Sequence, residues 1–182
     1  MKFNYLTLLI LLFAFVTLNA QSVNGKLTLN EKSETKLKLK TNSAVELFKE
    51  FKTGKYQLKF SFDGENLPKN VYNEKIVFFE FITTIKKDGE LVKNVIRKQP
   101  MPYFPGEYVI PAEAFDFVSL LANNPMEDED PADQMIGVIP EGNYQVELAI
   151  RPLGIEGKIK SVNIMLRPTD DSGHGSRLNG KD

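Results

Sequence analysis

The residues with the clearest potential for chemistry are acidic and lie close together. Glu127, Asp128, Glu129, Asp130 and Asp133 place five carboxylates within seven positions. Hard cations take several oxygen ligands at once, so such a run can hold calcium. It lacks the central glycine and the closing glutamate of an EF-hand loop, and a compact charge run also occurs as a solvated loop. Glu80 stands alone among apolar residues, where a carboxyl could serve acid catalysis or pair with a cross-strand lysine such as Lys59. No second acid shares its neighbourhood, as paired-carboxylate hydrolysis requires. Lys36, Lys38 and Lys40 share one strand face, either as a polyanion stripe or as the solvated guard of an edge strand.

A fourth cluster is suited to binding rather than reaction. Gln99 to Pro105 reads Gln-Pro-Met-Pro-Tyr-Phe-Pro, with Met101, Tyr103 and Phe104 carried between prolines. Three prolines in seven residues disfavour a ladder strand and favour an extended, polyproline-like path. Met101, Tyr103 and Phe104 are therefore the candidate binding residues. The competing reading is a crossover loop pinned by its aromatics.

Several chemistries lack their residues. Cysteine is absent, and the one histidine, His174, lies in a Gly/Ser/Asp-rich stretch. A Ser–His–Asp or Cys–His constellation needs an imidazole on a packed scaffold, and thiolate or histidine-bearing zinc sites lack their ligands. Neither a Walker-type phosphate loop nor a Gly-x-Gly-x-x-Gly fingerprint occurs. These readings lead to a non-enzyme with no metal and no cofactor. The formal net charge of −1 gives no global field for nucleic acid.

The elements that must carry these residues are mainly strands. In Ile139 to Ile150, Tyr144, Val146, Leu148 and Ile150 alternate with Gln145, Glu147 and Ala149, the period of a strand with one buried face. Related Gly-x-Tyr phrases open at Gly54 and Gly106. Val23 to Leu29 and Thr35 to Thr41 are expected to form a hairpin, and Lys75 to Lys86 a central strand covered on both faces, since it is apolar on both. Asp88-Gly89 marks a two-residue turn, after which Leu91 to Lys98 return. Met135 to Ile139 are expected as a short strand, and Lys158 to Arg167 as the last one. Ser43 and Glu46 fit a capping box ahead of a helix closed by Gly54. A second helix is expected over 111–123.

At the amino end, Lys2 precedes an apolar run from Leu6 to Leu18, and Asn19-Ala20 precede Gln21. This is the pattern of a secretory signal peptide over 1–20, cut after Ala20. The run is shorter than the roughly 18 to 20 residues that span a bilayer. No membrane span is expected after removal. The absence of cysteine fits a bacterial periplasmic or secreted protein.

The phrase Ile139 to Ile150, in which Pro140 and Gly142 precede an inward Tyr144, resembles the corner that enters the sixth strand of immunoglobulin-like and fibronectin type III domains. That resemblance implies an antiparallel β-sandwich, here with two short helices, and no activity. The expected organisation is a single sandwich domain over 21–168 and a disordered tail over 169–182, with two tandem modules as the alternative. The expected role is a binding or structural component of an envelope or secreted assembly, with a protein partner. The alternatives are a carbohydrate-binding or carbohydrate-acting module, for which the lack of tryptophan is unfavourable, and a calcium-dependent adhesin-like domain.

Overall fold

The structure, a computed structural model, describes residues 21–39, 41–122 and 137–168. Residues 1–20, expected as a signal peptide, Lys40, the acidic run 127–133 and the expected tail over 169–182 with His174 lie outside the described residues. The described residues are mostly strand, in two sheets with two short helices. Strands β1 (Ser22–Leu29), β3 (Leu58–Glu65), β6 (Tyr108–Ile110) and β8 (Glu156–Lys160) form one sheet in the order β6-β3-β1-β8. Strands β2 (Glu34–Lys38), β4 (Ile76–Lys87), β5 (Glu90–Pro102), β7 (Tyr144–Pro152) and β9 (Val162–Arg167) form the other, ordered β2-β9-β7-β4-β5. Alternation aims Leu27, Phe60 and Phe62 of the first sheet, and Phe79, Phe81, Leu148 and Ile164 of the second, into one hydrophobic cluster. Phe79 sits edge-on to Phe60 at 5.4 Å and to Phe62 at 5.0 Å, joining the two sheets through their rings.

Both sheets are mixed, which corrects the expectation of purely antiparallel sheets. β1 runs parallel to β8, and β2 runs parallel to β9. The expected β1–β2 hairpin is corrected too. Its tight turn forms at Asn30 and Glu31, both at positive φ, but pairing stops after one bridge, Leu29 with Lys32. β1 already has β3 on one edge and β8 on the other, so β2 has no free ladder to join and passes to the second sheet. The expected last strand breaks in the same way at Ser161, giving β8 to one sheet and β9 to the other.

Two further expectations change. Pro100 and Pro102 stand inside β5, opposite Phe78 and Ile76, rather than breaking the ladder. β5 is an edge strand, and prolines two residues apart aim their missing N–H groups at its open side. β4 is flanked by β5 and β7 within its sheet, yet its outer face is open, with Phe78 52% exposed. Covering on both faces is therefore not what its outer apolar residues report.

The helix α1 (Ala44–Lys52) begins as expected, with the Ser43 hydroxyl accepting from Glu46 N at 3.3 Å. Residues 137–139 add no strand: Val138 makes a single bridge to Ser43. The second helix is split into a 3-10 turn (Ala112–Ala114) and α2 (Phe117–Leu121), with Asp116 between them at φ +56. The Phe115 carbonyl accepts from the buried Thr83 hydroxyl at 2.6 Å and is drawn away from helical bonding. Asp116 is held by Arg97 at 2.6 Å and by Ser119 at 2.9 Å.

Candidate binding surface

Strand directions bring three connections to one end of the molecule. β3 finishes there, β4 starts there, and both β5 and β7 end there, as the antiparallel register of Ile76 with Pro102 and of Phe79 with Pro152 requires. The connections are residues 66–75, 103–107 and 153–155.

The first is tied by its own polar groups. Asn70 Oδ1 accepts from Tyr72 N and from Glu74 N, both at 2.9 Å, while Asn70 Nδ2 donates to Glu74 Oε2 at 2.8 Å. Asn70 N also donates to Glu74 O, and Asn73 takes a left-handed φ of +64. Asparagine tolerates that region and closes such turns through its side chain. At the base, Leu67 is buried over Gly64, where a Cβ would stand 2.4 Å from a Leu67 methyl. Val71 and Tyr72 are then left 93% and 81% exposed at the tip.

The second connection holds the residues singled out from the sequence. Tyr103 N donates to Lys75 O at 2.8 Å, which fastens it to the base of the first loop. The Tyr103 ring stands edge-on to Phe62 at 5.3 Å with Lys75 Nζ 5.4 Å from its centroid. Met101 and Tyr103 are partly buried against the core, whereas Phe104 is 60% exposed. The Tyr108 hydroxyl accepts from Phe104 N at 2.5 Å and lies 2.9 Å from Phe104 O and 3.0 Å from Pro102 O. Its single proton serves one of those carbonyls at a time. In the third connection, Leu153 N donates to Phe78 O at 2.8 Å.

The structure thus separates the trio: Phe104 offers its ring to solvent, while Met101 and Tyr103 anchor the segment behind it. Val71 and Tyr72, missed from the sequence, join Phe104 at this end. Their signal was an apolar pair, Val-Tyr, between two turn-forming asparagines, since loop tips otherwise favour polar residues. The other candidates lie apart. Lys36 and Lys38 are exposed on the edge strand β2. Glu80 pairs with Arg151 and Lys98, not with Lys59, whose partners are Glu31 and Glu107. Among the described residues, no group of three or more His, Cys, Asp or Glu could hold a metal. No helix among them is long and apolar enough to cross a membrane. A half-open cleft of about 340 Å³ between α1 and β6 is lined by Phe51, Tyr56, Gln57, Val109 and Glu113.

No family model, no curated protein and no solved structure matches the chain.

Proposed function

We propose that this chain is an exported, non-enzymatic binding protein whose two sheets form an immunoglobulin-like β-sandwich, and that it meets a protein partner in a bacterial envelope or extracellular space through the loop end. The fold part of this reading is supported by Tyr144, whose hydroxyl donates to Pro140 O at 2.8 Å, four residues upstream. A tyrosine bonded back to the chain before its strand is the corner expected of such domains. The order β2-β9-β7-β4-β5 and the shared core also fit a sandwich.

One observation carries the functional part. Val71, Tyr72 and Phe104 are held out in solvent by loops whose backbones are tied down. An unbound surface of this kind loses little conformational freedom when it is covered, so more of its apolar burial appears as affinity. Tyrosine and phenylalanine are the side chains enriched at interface centres. Export rests on the Lys2, Leu6–Leu18 and Ala20 pattern, and intact mass of the extracytoplasmic protein should begin near Gln21.

The test is a Val71→Ser, Tyr72→Ser, Phe104→Ser triple variant beside a Val45→Ser control on α1. The triple variant should keep its denaturant midpoint and lose chemical cross-links to envelope proteins that the wild type and control retain. Loss of folding would make these residues structural, and unchanged cross-links would move recognition elsewhere.

A further inference from the structure

The outer face of the five-stranded sheet has an arrangement that the loop end does not explain. Three cross-strand rows lie side by side on β5, β4 and β7. The middle row is Lys98, Glu80 and Arg151. On one side lies Ile96, Ile82 and Ala149, and on the other Pro100 beside Phe78. Phe78 is 52% exposed and Ile96 49%, so these apolar rows are open to water.

Glu80 itself is nearly buried, at 7%. Arg151 reaches it with Nε at 2.8 Å and also with Nη2, both on Oε2, while Lys98 Nζ stands 3.9 Å from Oε1. Both cations remain mostly exposed, with side chains at 61% and 65%. Two cations therefore answer one carboxylate, and Arg151 keeps a guanidinium N–H edge unspent on Glu80. The excess extends outward, because Lys36, Lys38, Lys86 and Arg167 share this face against Glu34 and Glu147.

The approach must be face-on. The open edge of β5 carries several devices that discourage strand addition: prolines at 100 and 102, a bulge opposite Ile85 and Lys86, and the charges of Lys93, Arg97 and Lys98. On the face, Phe78 and Ile96 stand open beside these charges. A second copy meeting it face to face would bring the same cationic excess against itself. An acidic protein surface would not.

We propose that the outer face of β5, β4 and β7 is a second docking surface, and that it takes an acidic protein segment whose carboxylate settles between Arg151 and Lys98 while flanking apolar side chains cover Phe78 and Ile96. This does not rest on the loop-end reading. Apolar rows beside the charge distinguish it from a plain polyanion site, where charge alone would suffice.

The probe is a soluble peptide of Asp-Leu-Glu-Phe units capped by Gly-Ser, titrated into isotope-labelled full-length mature protein while amide resonances are followed. Shifts should concentrate on Phe78, Ile82, Ile96, Lys98 and Arg151, and an Ile96→Ser, Lys98→Glu variant should weaken binding at least tenfold. Arg151→Gln should weaken it while leaving the spectrum folded elsewhere. The loop-end triple variant should bind the peptide unchanged, so the two surfaces can fail separately. Shifts confined to the loop end, or none at all, would overturn the proposal. So would heparin binding equally well and indifferent to Ile96→Ser, which would mark a simple polyanion site. Sedimentation showing a dimer that Ile96→Ser dissociates would assign the face to a second copy.

Discussion

Removing one oxygen from Tyr144 separates its packing from its hydrogen bond. The residue is 5% exposed, and its hydroxyl donates to Pro140 O at 2.8 Å. Tyr144→Phe keeps the ring and leaves a part-buried carbonyl without its donor, a cost of about 1–2 kcal/mol. Tyr144→Ala removes the ring as well and should cost about 3–5 kcal/mol, the range for deleting a large aromatic from a core. Urea midpoints at constant slope would give both values. Burial, with a smaller contribution from Asp88, also raises the Tyr144 hydroxyl pKa above its ordinary 10.0. The folded state then holds this proton more tightly than the unfolded chain does. That contribution to stability is complete below the unfolded pKa and is lost as pH rises through the folded one. Wild type should therefore weaken above about pH 10 more steeply than Tyr144→Phe does. A Phe variant as unstable as the Ala variant, or one matching wild type in midpoint and alkaline slope, would refute this reasoning.

Other perturbations test separate parts of the structure. Arg151→Ala leaves the near-buried Glu80 carboxylate to the more distant Lys98 and should cost about 1–3 kcal/mol, moderated by the exposure of Arg151, whereas Glu80→Leu frees two cations into water and should stay within about 1 kcal/mol of wild type. Equal costs for the two, in urea melts, would contradict the asymmetry. Gly157→Ala should cost about 2–4 kcal/mol, because a Cβ there would lie 1.7 Å from Val23 O at a φ of +153; a harmless substitution would mean β8 does not lie against β1. Tyr108→Phe removes the hydroxyl that links Pro102 and Phe104, and should speed amide exchange of Phe104 while changing the global midpoint by about 1 kcal/mol or less.

Strand positions and inward faces were legible because alternation is local: Tyr144, Val146, Leu148 and Ile150 face the core as their spacing requires. The cap at Ser43 and the Asp88-Gly89 turn are equally local. Pairing was not, since it depends on which strand edges are already taken. Nothing in Asn30 to Ser33 announces that β8, more than a hundred residues later, occupies the ladder β2 would have used. The second helix broke where Thr83 claims the Phe115 carbonyl, another contact distant in sequence. Proline was read as a breaker at 100 and 102, and only the edge position of β5 makes it compatible with a strand. For the binding surface, Phe104 was found by its proline setting. Val71 and Tyr72 were missed because their exposure depends on the hydrogen bonds of Asn70.

The most direct test of the loop-end account is site-specific photocross-linking in intact cells, with the photoreactive side chain placed in turn at positions 72, 104, 45 and 109. All four native residues are well exposed, so accessibility alone would label them alike. A binding surface at the loop end predicts a discrete cross-linked protein species from 72 and 104 and none from 45 on α1 or 109 on β6. Cross-links of equal strength from all four positions, or from 45 and 109 alone, would contradict it.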